Sequence, residues 1–217
     1  MKTPITLLLL TAVALPADEA WLDDDAEARA LAVNEGELVF LTVPPAKPAH
    51  QHANQLEITE RSLRDGWVLL KQCHSNLDPV PEAEIVFRQD RVRGLRITQA
   101  RSIGTATVEG PTVQLREVGR GATLCLRAET QALHPLGDGL YELHNGPYMR
   151  RFLDGYYPLR VMLDIRYPDS IEVVDFQPED QPGFRPELSP QRVRFDPWFE
   201  GRLQTLFRFA DREHPAP

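Results

Sequence analysis

At 217 residues, 42% of them hydrophobic, the chain is long enough for one large or two small β domains with a real core. Its 24 basic against 32 acidic residues give a formal charge of −8, which argues against nucleic acid or an anionic membrane surface as the partner, since both demand a basic footprint. Lys2, Lys47 and Lys71 are the only lysines, so arginine supplies most of the cations, as planar donors suited to carboxylates and aromatic faces.

The chain opens with Met1-Lys2, an apolar run from Ile5 to Leu15, and Leu15-Pro16-Ala17 ahead of the acidic Asp18-Glu19. Charge, short apolar stretch and small-residue cut site, in that order, predict a signal peptide over residues 1–17. Later segments fall short of the roughly 20 apolar residues that a transmembrane helix needs. The expectation is an exported protein, periplasmic or secreted, with no membrane insertion after cleavage. Residues 18–36 read as a helical segment, with Asp23, Asp24 and Asp25 in its first turn and Gly36 as the stop.

From residue 37 the pattern changes to strands. Leu38–Val43 is an apolar run closed by Pro44-Pro45, and residues 44–54 read as a proline- and histidine-bearing loop. Strands are predicted at 55–60, 66–73, 84–88, 92–98, 105–109, 112–118 and 122–128, with a tight turn at Gly110-Pro111. Leu159, Val161, Leu163, Ile165 and Tyr167 alternate with polar residues, as a half-buried strand requires. The change of phase between Val173 and Val174 predicts a bulge, and Leu203, Thr205, Phe207 and Phe209 define a last strand.

The fold class expected is all-β: antiparallel sandwich architecture, immunoglobulin-like in outline, with a short N-terminal helix and one short helical turn. The divisions expected are a β domain at 37–130, a connector at 131–139, a second β domain at 140–211 and a tail at 212–217, with a single sandwich over 37–211 as the alternative. Cys73 and Cys125, an even count in an exported chain, predict one disulfide that restrains the unfolded chain by about 4 kcal/mol. Both share a strand face with polar neighbours, so the bridge is expected away from the deepest core. Thr123 stands where an immunoglobulin domain has its tyrosine, and Trp67 precedes Cys73 rather than following it, so the immunoglobulin hallmarks are missing.

Two segments carry candidate sites. In Tyr141–Tyr157, Pro147 can open a helix of two turns at most and Gly155 can close it. Tyr148, Met149, Phe152 and Leu153 would share one side and leave Arg150 and Arg151 to water. The segment is then either a core plug or a partner-binding patch of Tyr148, Arg150, Arg151, Tyr156 and Tyr157, residue types enriched at binding hot spots. In His50-Gln51-His52, an extended backbone turns both imidazoles to one side, where they can share Zn²⁺ or Cu²⁺. Cys73-His74 adds no ligand pair, because neighbours on a strand point to opposite faces, and a third ligand is not identifiable.

Catalytic signatures are absent: there is no Gly-x-Ser-x-Gly and no glycine-rich phosphate loop. Asp154, Asp164 and Asp175 are carboxylates with no fixed pairing, and His134 and His144 read as structural. The function expected is therefore binding rather than chemistry, without a cofactor: an exported accessory protein whose partner is another envelope protein. The alternative is a small ligand, either a metal on His50 and His52 or a sugar stacked on an aromatic such as Trp198. A hydrolase comes third.

Overall fold

A computed structural model describes Asn34 and residues 36–212. The expected signal peptide, almost all of the helical segment 18–36 and the tail beyond Arg212 lie outside the described residues. The strands are β1 (Val39–Leu41), β2 (Gln51–Glu57), β3 (Trp67–Leu77), β4 (Val80–Val86), β5 (Val92–Glu109), β6 (Thr112–Gln131), β7 (Leu133–Gly137) and β8 (Leu140–Tyr148). They continue as β9 (Arg151–Phe152), β10 (Gly155–Tyr156), β11 (Leu159–Arg166), β12 (Ile171–Gln177), β13 (Glu187–Ser189), β14 (Arg192–Phe195), β15 (Trp198–Glu200) and β16 (Leu203–Asp211). The α-helix among the described residues, α1 (Ser62–Asp65), is a single turn closed by Gly66 at φ 75°.

A ten-stranded sheet runs β1-β15-β11-β2-β3-β6-β4, with β5 also alongside β6, β14 alongside β11 and β13 beyond β14. A four-stranded sheet runs β12-β16-β8-β7. Both contribute to one apolar core, including Leu56, Val68 and Leu70 from the large sheet and Leu143, Phe207 and Phe209 from the small one. The all-β sandwich expected from the sequence is the fold observed. A smaller second cluster, with Val113, Leu115, Leu124 and Leu126 of β6, packs against residues of β4 and β5 such as Ile85 and Ile97.

Several local expectations hold. Leu159, Val161, Leu163 and Ile165 alternate buried against exposed or half-buried neighbours, Leu203, Thr205, Phe207 and Phe209 are buried, and the register of β12 shifts between Val173 and Asp175. Others need correction. The strands predicted at 92–98 and 105–109 are one strand, as are those at 112–118 and 122–128. Register shifts such as that between Arg101 and Ile103 absorb the irregularity, so pairing continues through Gly104 and Gly119. The expected connector at 131–139 contains β7. β2 also pairs in parallel with β11, which departs from a purely antiparallel reading and places a strand of the first half between β3 and a strand of the second.

The predicted helical turn after Pro147 does not form. Tyr148 ends β8 opposite Leu203, and Arg151–Phe152 pairs with Gly155–Tyr156 as a hairpin. Backbone pairing overrides the helical spacing of the apolar side chains. Gly146 sets this course at φ +101°, where an added Cβ would stand 2.7 Å from the Leu203 carbonyl oxygen.

The disulfide joins Cys73 of β3 to Cys125 of β6, directly opposite each other, with Cα atoms 4.1 Å apart and 52 residues of separation. It ties neighbours within one sheet, unlike the inter-sheet bridge of an immunoglobulin domain, and both cysteines are only half-buried. Replacing both by alanine should lower unfolding free energy by about 4 kcal/mol in chemical denaturation. A loss below about 1 kcal/mol would show that the unfolded chain is restrained by other means.

Candidate functional site

The inner face of the large sheet is apolar except for one block at its centre. Neighbouring strands place Val161, His52, His74 and Leu124 in one row and Leu163, Asn54, Gln72 and Leu126 in the next. The third row, Ile165, Leu56, Leu70 and Ala128, is apolar throughout. Four polar side chains thus form a two-by-two square between apolar columns, and all are buried: Asn54 at 3% exposure, His74 at 5%, Gln72 at 7% and His52 at 8%.

β2 and β3 create the square by alternation. Along β2, His52, Asn54 and Leu56 turn inward while Gln55 and Glu57 face water. Along β3, Val68, Leu70, Gln72 and His74 turn inward, so Cys73 falls on the outer face. Alternation correctly separates Cys73 from His74, and the same alternation sets His74 directly against His52. This is the third histidine that the sequence does not identify.

His50 completes the cluster. Its Nε2 lies 3.0 Å from Nδ1 of His74, in a hydrogen bond for which one of the two nitrogens carries the proton. Ring centroids are 4.1 Å apart for His52–His74, 5.2 Å for His50–His74 and 6.2 Å for His50–His52, with planes within 29° of parallel. Tyr148 stands edge-on to His52, 5.0 Å between centroids, and its hydroxyl meets the Asn54 amide. His52 Nε2 contacts the Gln72 amide.

Hydrogen bonding in the square is incomplete. Gln72 Oε1 and His74 Nε2 are buried without a hydrogen-bond partner, as is Thr205 Oγ1 on the facing strand β16, while Asn54 and Asn145 interact with the neighbouring His52 and Tyr148. Each unpartnered buried polar atom costs about 1–3 kcal/mol, so their concentration here marks a place shaped for a polar occupant. The square lines a cleft of about 580 Å³ that reaches His134 and His144 at its other end. Five of the chain's six histidines therefore lie at or beside this cleft. His144 Nε2 is 3.0 Å from Glu142 Oε2, and Arg208 donates to the other oxygen of Glu142 at 2.7 Å.

Burial holds the imidazoles neutral. Desolvation, followed by mutual repulsion, lowers His74 to about 3 and keeps His52 well below the ordinary histidine range. Desolvation also lowers His50 to about 4 against an opposing pull from Asp78. Burial pushes the Tyr148 hydroxyl up, so it stays protonated. Asp78 accepts two hydrogen bonds from Arg150, at 2.9 and 2.7 Å.

The structure redistributes the expected partner patch. Tyr148 is core, and Arg150 is committed to Asp78 with its side chain 17% exposed. Arg151 is exposed on the β9–β10 hairpin, its guanidinium 5.5 Å from the Tyr156 ring centroid, and Tyr156 and Tyr157 are half-buried. At the hairpin turn Leu153 is fully exposed, and Phe152 is 40% exposed with its ring packed edge-on against Tyr157. The candidate carboxylates are engaged separately: Asp164 by Arg192, Asp175 by Arg208 and Asp154 by the Tyr157 hydroxyl. Trp198 is half-buried in β15, with the Arg160 guanidinium 5.9 Å from its ring centroid.

No known protein-family model matches the chain, and no curated protein resembles it significantly. Among solved structures it is similar to a mutant M1 zinc metallopeptidase of Deinococcus radiodurans bound to a Tyr-Ser-Ala substrate, at 10% identity and a TM-score of 0.40. A two-domain M1 zinc metallopeptidase bound to L-tryptophan gives 11% identity and a TM-score of 0.37. The match covers 82% of this chain in both, but only 43% and 44% of those chains. At this overlap no activity or site transfers.

Three histidines held neutral in the fold but free to protonate when unfolded make stability depend on pH. Below about 6.5 the unfolded chain binds more protons than the folded one, so stability falls as pH drops toward 4. Each histidine contributes up to about 1.4 kcal/mol per pH unit in that window. Denaturant midpoints of metal-free protein from pH 7 to 4 should show this slope, and a His50→Gln, His52→Gln, His74→Gln variant should flatten it. An unchanged slope would place the cluster in water rather than in the core.

Proposed function

We propose that the protein is exported and binds a borderline transition-metal ion, Zn²⁺ or Cu²⁺, through His50, His52 and His74. The observation that carries this is the third imidazole: His74 stands opposite His52 and bonds to His50, with its own Nε2 unpartnered. Neutral imidazole is the ligating form, and burial supplies it without a proton to displace at neutral pH. An ion with nitrogens at 2.0–2.1 Å in tetrahedral arrangement keeps ring centroids about 5 Å apart, and the observed separations straddle that value. Among the described residues no three His, Cys, Asp or Glu side chains converge as a ready-made cage. Ligation therefore requires the stacked rings to rotate about their side-chain bonds. The leader-like order of charge, apolar run and small residues over 1–17 and the disulfide support export.

Titration of chelator-treated protein should give one ion per chain and a rise in melting temperature that grows with ion concentration. His74→Gln should weaken binding by more than the 10–100-fold typical of losing an outer-shell partner. Equal affinity in that variant would remove the site.

We also propose that the β9–β10 hairpin meets another envelope protein, because Phe152 and Leu153 stand exposed beside Arg151. A Phe152→Ser, Leu153→Ser variant should lose a cross-linked partner in the native envelope while keeping its melting temperature. Retention of that partner would move the contact elsewhere. Arg150 is unsuitable for this test, since a glutamate there would face Asp78.

A further inference from the structure

On the opposite face of the same strands, Lys71, Arg127 and Arg96 occupy directly opposed positions on β3, β6 and β5. Like charges directly opposite across strands destabilise a sheet. Yet all three side chains are exposed, and among the described residues none lies in an ion pair or a side-chain hydrogen bond. The neighbouring row behaves differently: Arg93 bonds Glu129 and lies over Trp67, 4.1 Å from its ring centroid. Acids are therefore placed where one cation needs them and are withheld from the row of three.

The row floors a trough of about 350 Å³ whose walls include Arg93, Arg166, Glu57 and Glu129. Five cations against two carboxylates leave a local excess of positive charge on a chain of net charge −8. Strands lie about 4.8 Å apart, so the three cations span about 10 Å. That is too long for one small ion to touch all three, and it suits an anion with several linked charges. We propose that this trough binds a multivalent phosphate, carried by a free polyphosphate or by a lipid headgroup, with Lys71, Arg96 and Arg127 as its ligands. Arginine suits the role through paired donors that match phosphate oxygens. The negative charge of the whole chain opposes long-range attraction, so binding is a contact effect.

The test uses inorganic tripolyphosphate in calorimetric titration and, separately, sedimentation with vesicles of neutral lipid carrying about a third cardiolipin, whose headgroup links two phosphates. Tripolyphosphate should bind one per chain, and an Arg96→Gln, Arg127→Gln variant should weaken it at least tenfold. Arg116→Gln, on the same hairpin but paired with Glu82, should leave it unchanged. Without ligand the double variant should melt at or above the wild-type temperature, because a repulsive row has been relieved; a merely structural role predicts a lower one. Binding to tripolyphosphate alone assigns the free anion, and co-sedimentation assigns the headgroup. Binding to neither probe, or equal binding by the double variant, overturns the proposal.

Discussion

The structure turns on keeping four polar side chains inside an apolar core. His52, His74, Asn54 and Gln72 stay together only while β2 and β3 hold one register, and a slip of either strand by one residue would turn its half of the square to the outer face. Leu56 on β2 and Val68 and Leu70 on β3 oppose such a slip, because it would turn them outward with the polar residues of the same strand. Two devices fix β3 further. The Cys73–Cys125 bridge pins it to β6 one residue from His74, and the parallel pairing with β11 seats β2 on its other side. Gly146 lets β8 end against Leu203, which brings Tyr148 down to the Asn54 amide.

The sequence was legible where a strand had one wet and one dry face. β11 and β16 alternate in plain sight, the bulge of β12 shows as a phase change, and the cysteines declare their pairing by number and their exposure by their neighbours. The start of β2 was not legible, although its end falls in the strand expected at 55–60. Its inward residues His52 and Asn54 are polar, so a buried strand reads as a polar loop. The alternation rule expects apolar residues inside, and β2 breaks it at two of its three inward positions. The helical reading of the segment after Pro147 failed otherwise: its spacing suited a helix, but the edge of β16 and a two-strand hairpin offered the backbone partners that an isolated turn lacks.

Half of the site could be read directly. The spacing of His50 and His52 puts both rings on one side, as found. His74 was out of reach because strand pairing, not spacing, brings it within reach of His50, 24 positions away in sequence. Arg150 was misassigned for the same reason: its partner Asp78 lies 72 residues away, and only the folded chain reveals that the cation is already spent.

What the square lacks is as informative as what it holds. It offers imidazole nitrogens and amide oxygens but no carboxylate, and Asp78, the acid that pulls on His50, is neutralised by Arg150. Calcium and magnesium need clustered oxygen ligands, several of them charged, and would find too little compensation for lost hydration. A borderline ion gains directional bonds to nitrogen that do not depend on net negative charge, in an order that favours Cu²⁺ over Zn²⁺. The proton, the commoner competitor, is held off at all three histidines first by burial, with the neighbouring rings adding to it at His52 and His74 and Arg150 at His50. On the proposed reading, rings that are stacked, neutral and short of hydrogen-bond partners would turn toward a bound ion, and that ion would relieve the shortage that burial created.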